Sequence, residues 1–150
     1  MKVLIVYDSV FGNTEQIAQA IGNAFGSQKD VEMLRVSNVK PEQLTGLKLL
    51  IVGSPTHGGR PTPAIQDFLK KASEAAIRGI NVAAFDTRLS GRLVGIFGYA
   101  AGRIAGTLKR KGGTLIAPPE GFFVKGTKGP LKEGELERAA DWAKQIIATQ

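Results

Sequence analysis

Cysteine is absent from this 150-residue chain, and the single histidine, His57, has no second histidine with which to share a metal. The absence of cysteine excludes disulfides, thiol nucleophiles, cysteine-ligated zinc and cysteine-bound iron–sulfur clusters. Long hydrophobic runs are also missing. None approaches the ~18–20 residues of a membrane span, and Val3–Tyr7 is shorter than the apolar region of a signal peptide. We therefore expect a soluble cytoplasmic protein with no metal site.

Acidic residues are scarce in one stretch of the chain. Residues 87–132 contain nine lysines and arginines against one acidic residue, Glu120, and the whole chain has a formal net charge of +7. Such a basic patch, in a chain whose isoelectric point is also basic, favours anionic partners: nucleic acid, acidic protein surfaces or phosphorylated ligands. A solvated basic face without a dedicated partner explains the composition equally well.

The chain does contain a regular alternation of apolar runs and helical patterns. At 150 residues, 43% of them hydrophobic, it is long enough for one domain with a substantial core. The apolar runs predict strands at Lys2–Tyr7, Glu32–Val36, Leu47–Gly53, Asn81–Phe85 and Thr114–Val124, the last with a break at Pro118-Pro119. Amphipathic patterns predict helices at Thr14–Phe25, Thr62–Ala75, Tyr99–Lys111 and Glu133–Ala148, with a short turn after Pro41. This alternation predicts a doubly wound parallel α/β sheet, with a ligand site beyond the carboxyl ends of its strands.

The segment between the first strand and the first helix has the composition of an anion site. It consists of Ser9, Val10, Phe11, Gly12, Asn13 and Thr14. The first backbone N–H groups of a helix are unpaired and lie at the positive end of its dipole, and Gly12 lets a ligand approach the backbone closely. Because the segment has no lysine or arginine, neutral donors would hold a phosphate there. On its own, the segment is explained as well by an ordinary capped turn.

Two further loops reach the same edge of the predicted sheet. The loop after the third strand contains Ser54, Pro55, Thr56, His57, Gly58 and Gly59. The loop after the fourth strand contains Asp86, Thr87, Arg88, Leu89 and Gly91. Three small, polar loops at one switch point favour a ligand site over a capped turn.

Several known classes of protein lack their required residues here. A P-loop needs a lysine after its glycines, where this chain has Asn13-Thr14, and no G-x-G-x-x-G is present for a dinucleotide. A phosphoacceptor aspartate would end the third strand, where Ser54-Pro55 stands. The basic residues have little aromatic interleaving and no recognition motif, so nucleic acid is not expected as a partner.

The three loops resemble those of the flavodoxin family, and the resemblance covers essentially the whole chain. Ser9-x-x-Gly12-Asn13-Thr14 is similar to the loop that binds the phosphate of FMN, and Ser54–Gly59 to the loop along one side of the isoalloxazine ring. The third loop begins where the family's loop on the other side begins. The resemblance implies FMN as cofactor and one domain over residues 1–150. It also implies a five-stranded sheet of order 2-1-3-4-5, with helices on both faces.

The resemblance also implies roles for the loop residues. The side chains of Ser9, Asn13 and Thr14, with the N–H groups of residues 10–13, would bind the phosphate. Residues 54–56 would follow the ribityl chain, and the Gly58-Gly59 peptide would turn its carbonyl towards N5 of the reduced flavin. Residues 86–89 would contact the pyrimidine end through the main chain.

Two departures from the family pattern concern the ring end of the site. His57 stands where the family commonly stacks an aromatic side chain, and no aromatic residue lies between Thr87 and Ile96. Flavodoxins are typically acidic, whereas Arg60, Arg88 and Arg92 lie in or beside these loops. A charge at ~8 Å in an effective dielectric of ~20–40 contributes ~1–2 kcal/mol, or roughly 45–90 mV for one electron. We therefore expect a less negative second potential than in acidic relatives.

The function implied by the resemblance is electron transfer between redox partner proteins that present acidic docking surfaces. No side chain is then expected to act as a catalytic acid or base, because the flavin carries the chemistry. A small FMN-dependent NAD(P)H or quinone reductase stays open as an alternative, as does a basic docking module that has lost its flavin.

Overall fold

The computed structural model describes residues 2–28, 30–90 and 99–149. Its strands are β1 (Lys2–Tyr7), β2 (Asp30–Arg35), β3 (Leu49–Pro55), β4 (Asn81–Leu89), β5 (Thr114–Leu115) and β6 (Glu120–Val124). Its α-helices are α1 (Asn13–Phe25), α2 (Pro63–Lys71), α3 (Glu74–Ile77), α4 (Ala100–Arg110) and α5 (Glu135–Thr149). Short 3-10 turns lie at Gly26–Gln28, Val36–Asn38 and Pro41–Leu44. None of the helices in the described residues has the length and apolar character needed to cross a bilayer.

The strands form one parallel sheet in the order β2-β1-β3-β4-β5, which confirms the predicted topology. β6 also pairs with β4, at Phe85–Leu89, whereas β5 pairs at Asn81–Val82. The predicted break at Pro118-Pro119 is therefore confirmed, because proline cannot supply the N–H that a continuous ladder needs. Two short strands share the fifth position of the sheet.

Helices cover both faces of this sheet. α1 and α5 pack on one face, where Ile17, Ile21 and Trp142 join the side chains of β1 and β3. α2 and α4 pack on the other face through Ile65 and Ile104. Residues 3–7 of β1 and all of β3 are buried, which explains why their sequences do not alternate.

Some predicted boundaries were wrong. β4 runs to Leu89 instead of ending at Phe85, because β6 pairs with the additional residues. The helix predicted over Thr62–Ala75 is two helices, since the Ser73 hydroxyl accepts a hydrogen bond from Ala76 N at 3.1 Å and starts α3. The strands predicted at Glu32–Val36 and Leu47–Gly53 are each displaced by about two residues.

Candidate functional site

A cleft lies where β1, β3, β4 and β6 end, between the three predicted loops and the segment that follows β6. The predicted residues that line it are Ser9, Val10, Phe11, Asn13, Thr14, Pro55, Thr56, His57, Thr87, Arg88 and Leu89. Val124 and Thr127 complete the lining. Five predicted residues lie beside the cleft without lining it, namely Gly12, Ser54, Gly58, Gly59 and Asp86. The remaining one, Gly91, lies outside the described residues.

The first loop presents unpaired backbone donors. Gly12 has φ 92° and ψ −7°, a left-handed conformation that turns the chain into α1. The Ser9 hydroxyl oxygen accepts hydrogen bonds from Gly12 N at 3.1 Å and Glu15 N at 3.3 Å. Within residues 2–28, 30–90 and 99–149, no acceptor pairs with the backbone N–H groups of residues 10, 11, 13 and 14. The loop therefore keeps four main-chain donors, and the Ser9 hydroxyl proton, for an anion.

Asp8 fixes the base of this loop. Its carboxylate accepts hydrogen bonds from Ser9 N at 2.9 Å and from the Thr62 hydroxyl at 2.5 Å, and Arg35 lies 3.4 Å away. Arg35 also donates to the Ser9 carbonyl at 2.9 Å. Asp8 and Arg35 neutralise each other, so this arginine positions the loop without adding a free positive charge to it.

A second contact ties α1 to β1 below the loop. The Tyr7 hydroxyl donates to Glu15 at 2.8 Å, and the Arg35 guanidinium lies 5.4 Å from the centre of the Tyr7 ring. Burial raises the pKa of Tyr7, and the bond to Glu15 adds to the rise.

The first loop is joined to the rest of the cleft by two side-chain contacts. The hydroxyl groups of Thr14 and Thr87 are 2.8 Å apart and both residues are buried. The Asn13 side-chain amide donates to the carbonyl of Lys128 at 3.3 Å. These contacts connect the first loop to β4 and to the segment after β6.

The second loop is a tight hairpin between His57 and Arg60. The two residues exchange backbone hydrogen bonds of 2.9 and 3.1 Å, and Gly58 and Gly59 have φ values of 58° and 78°. Positive φ at both central positions is the requirement of a type I′ turn. Arg103 Nε donates to the Gly59 carbonyl at 2.8 Å, whereas no donor in the described part of the chain pairs with the Gly58 carbonyl. The peptide between the two glycines thus keeps a free carbonyl.

The third loop begins with a buried ion pair. Arg88 donates to Asp86 from Nε at 2.7 Å and from Nη2 at 2.8 Å, and Ala101 N donates to the same carboxylate at 2.9 Å. The guanidinium carbon lies 3.4 Å from the centre of the Tyr99 ring. Asp86 is fully buried and the Arg88 side chain is 14% exposed. The positive charge of Arg88 is therefore largely neutralised at the cleft.

Comparison with known proteins identifies the family. The sequence model of the flavodoxin family matches residues 5–142. The chain belongs to the flavodoxin family. A 55-residue stretch is 42% identical to a flavodoxin of Picosynechococcus sp., and an 86-residue stretch is 28% identical to probable flavodoxin 1 of Bacillus subtilis. These stretches cover 37% and 56% of this chain but only 32% and 54% of those relatives. A solved archaeal flavodoxin has a TM-score of 0.83 at 26% identity, with 99% of this chain and 97% of that chain covered.

Members of the flavodoxin family bind FMN and act with redox partner proteins, so the expected family and its cofactor are confirmed. The first loop fits the phosphate of FMN, because it combines four unpaired N–H groups with the hydroxyl and amide side chains of Ser9 and Asn13. Phe11, His57 and Leu89 are exposed and line the cleft. Tyr99 is stacked on Arg88.

Sequence reasoning missed three residues that support the cleft from outside it and one, Thr127, that lines it. Arg35, Thr62, Arg103 and Thr127 come from four separate parts of the chain, and no local motif indicates their contacts with the site. The position of Thr127 could have been predicted from the topology. The fifth strand is parallel to the fourth, so the residues that follow it, including Thr127, lie at the same edge of the sheet as the three loops. The charge of Arg88 was expected to be free, and the pair with Asp86 corrects that expectation.

Proposed function

We propose that residues 1–150 form one unit that binds FMN in this cleft and carries electrons between redox proteins. The observation that carries the proposal is the set of four unpaired backbone N–H groups in the first loop, next to Gly12 in its left-handed conformation. Neutral donors at a helix N-terminus bind a phosphate without any lysine. Residues of the two other loops line the same cleft, and we expect the ring to lie between these loops.

The roles of the individual residues follow their positions. Ser9, Asn13 and the N–H groups of the first loop hold the phosphate, and Thr14 is held in place by Thr87. Pro55 and Thr56 line the route towards the ring, whereas Ser54 is fully buried and bonds to Thr62 N, so it supports the second loop from inside. When bound, FMN supplies the capacity to accept and release electrons.

Main-chain groups are the contacts available at the ring end. We expect the Gly58 carbonyl, which no donor in the described residues occupies, to accept a hydrogen bond from the reduced ring, and residues 87–89 line the cleft. Asp86 acts indirectly, because its buried carboxylate pairs with Arg88. No side chain has to move a proton in this mechanism; the chain binds, orients and screens the cofactor.

Exposed apolar side chains surround the cleft. Val10, Phe11 and Leu89 are 54%, 45% and 37% exposed. Large apolar groups at a surface are typical of sites that other proteins contact. Because Arg60 follows the second loop, and Lys125 and Lys128 lie beside the lining residues Val124 and Thr127 in the chain, we propose partners with acidic docking surfaces in the cytoplasm, where a carrier would meet them.

The test begins with the purified protein. We expect visible flavin absorbance, tighter binding of FMN than of riboflavin, and reduction by light with a sacrificial donor. Stopped-flow addition of NAD(P)H should leave the flavin oxidised. Rapid bleaching by NAD(P)H would instead identify a reductase, and failure to bind added FMN would contradict the proposal.

A further inference from the structure

A second concavity lies outside the cleft, between α2 and α4. Its volume is about 620 Å³, and its lining includes Arg60, Lys70, Arg103 and Arg110. Gly102 and Gly106 of α4 form part of its wall, and a Cβ at Gly102 would meet no atom within 4 Å, so the backbone of α4 is open there. We call this concavity the α2–α4 groove.

The α2–α4 groove collects positive charge that the chain does not neutralise. Within the described residues, Arg60, Lys70 and Arg110 have no carboxylate within 4.0 Å, and all three are exposed. The acidic residue in the lining, Asp67, is paired with Lys71 at 3.0 Å. Like charges that converge on one groove repel one another, and an anionic occupant relieves that repulsion.

The groove is continuous with the second loop of the cleft. Arg60 follows Gly59 directly in the chain, and Arg103 reaches from the groove to donate to the Gly59 carbonyl at 2.8 Å. An occupant of the groove is therefore held beside the loop that borders the ring. This position suits a protein that exchanges electrons at the cleft better than it suits an unrelated ligand.

Nucleic acid is a less suitable occupant. The lining of the groove contains no aromatic side chain on which a base could stack, and no motif of nucleic-acid recognition is present. An acidic protein segment could bind through its glutamate and aspartate side chains alone, because the groove already provides the cations that these side chains pair with.

We propose that the α2–α4 groove is the docking site for an acidic surface segment of the redox partner. The proposal rests on the proposed electron-carrier function, which supplies the reason for a partner at this position. It assigns the groove to partner recognition and the cleft to the cofactor, so the two sites are separable by mutation.

The test uses the full chain loaded with FMN and a dye-labelled glutamate–alanine peptide of about 12 residues, at about 20 mM and about 150 mM salt. The groove variant is Lys70→Glu/Arg110→Glu. The matched control is Lys48→Glu/Lys144→Glu, two exposed lysines without an ion pair in the described residues, which changes the net charge equally. If charge reversal impairs folding, Lys70→Gln/Arg110→Gln replaces the groove variant and Lys48→Gln/Lys144→Gln replaces the control.

We expect anisotropy to show that the groove variant binds the peptide about tenfold more weakly than wild type at low salt, and the control less than about twofold more weakly. Binding of the wild type should also weaken at the higher salt. Equal losses in both variants would show attraction by net charge alone and overturn the proposal. So would tighter, groove-dependent binding of a single-stranded DNA of the same charge, which would assign the groove to nucleic acid.

Flavin absorbance separates this proposal from the proposed function. A chain that binds FMN but shows no groove-dependent peptide binding contradicts the docking site alone. A chain that binds the peptide in the groove but holds no FMN supports an acidic docking site and contradicts the electron-carrier function. Both sites are measured on the same preparation, so one failure cannot be mistaken for the other.

Discussion

Arg88 donates two hydrogen bonds to Asp86, two residues before it in the same strand, and the pair is buried at the edge of the cleft proposed for FMN. A positive charge that the sequence alone places beside the flavin is thus cancelled by its own neighbour. Among the described residues of the flavin loops, Arg60 keeps an unpaired charge. The net charge near the proposed flavin site therefore depends on which charged side chains form ion pairs, as well as on how many charged residues the loops contain.

Replacement of Asp86 should expose the charge of Arg88 to the flavin. We expect Asp86→Asn to make the second one-electron potential of bound FMN less negative by roughly 45–90 mV, the effect of one charge at ~8 Å. Redox titration of the FMN-loaded variant measures this shift. The double variant Asp86→Asn/Arg88→Gln removes the charge and should return the potential close to that of wild type. An unchanged potential in Asp86→Asn would contradict the prediction.

The packing of Arg88 against Gly121 gives a prediction about stability. A Cβ built at Gly121 would lie 2.1 Å from Arg88 Nε. Gly121→Ala should therefore displace the guanidinium from Asp86 and lower the free energy of unfolding by about 2–4 kcal/mol, as expected for a disrupted buried ion pair. Urea denaturation measures the change. The control is Gly102→Ala, which meets no atom within 4 Å and should stabilise α4 by about 0.5–1 kcal/mol.

Gly12 should affect phosphate binding more than ring binding. Alanine in its left-handed conformation costs about 1–2 kcal/mol, and relaxation of the turn would move the donors of the first loop. We expect Gly12→Ala to weaken binding of FMN about tenfold, equivalent to 1.4 kcal/mol, and to leave binding of riboflavin nearly unchanged. Fluorescence titration with both flavins measures this.

Gly46→Ala is the control for this prediction, because Gly46 also has a positive φ, 73°, but lies far from the first loop in the chain. It should lower the free energy of unfolding without changing the affinity for FMN. Equal losses of FMN and riboflavin in Gly12→Ala would assign the effect to general damage of the site.

Glu135 should make stability depend on pH. Burial alone would raise the pKa of Glu135, but hydrogen bonds from Arg138 and from Phe123 N, with the charges of Arg138 and Lys132, bring it below its ordinary value. A carboxyl whose pKa is lower in the folded state stabilises the fold above its unfolded pKa and loses that contribution as pH falls through the folded pKa.

Urea denaturation at a series of pH values tests this. We expect the stability difference between wild type and Glu135→Gln to narrow as pH falls from about 5 to about 3. Exposed Glu137, on the same helix, provides the control variant Glu137→Gln. Parallel profiles for wild type and Glu135→Gln would show that Glu135 does not contribute to the pH dependence.

Secondary structure could be predicted from the sequence wherever it is determined by residues that are neighbours in the chain. The strand Lys2–Tyr7 was predicted with its observed bounds, because a short apolar run ends there at Asp8 and the small residues of the first loop. The order of the strands follows from the β/α alternation for the same reason. Leu136 shows the limit: its spacing fits the buried face of α5, yet it is 42% exposed.

Contacts between distant segments were not predictable in this way. The extension of β4 to Leu89 depends on its pairing with Val124. The first loop depends on Arg35 and Thr62, and the sequence around these two residues does not indicate their contacts with the loop. The pairing of Arg88 with Asp86 is local, but a strand rather than a loop is needed to place both side chains on one face. Because β4 was predicted to end at Phe85, Asp86 and Arg88 were assigned to a loop, and their ion pair was not predicted.

The contact between Asn13 and Lys128 has a consequence for the order of assembly. It joins residues 115 positions apart, and such a closure becomes favourable only after the intervening strands have packed. We therefore expect the first loop to gain its final shape late, once the segment between β6 and α5 has docked. Retention of the cofactor should then require the segment after β6 as well as the first loop. A fragment that ends before β6 should release the cofactor readily, even if its own strands and helices are folded.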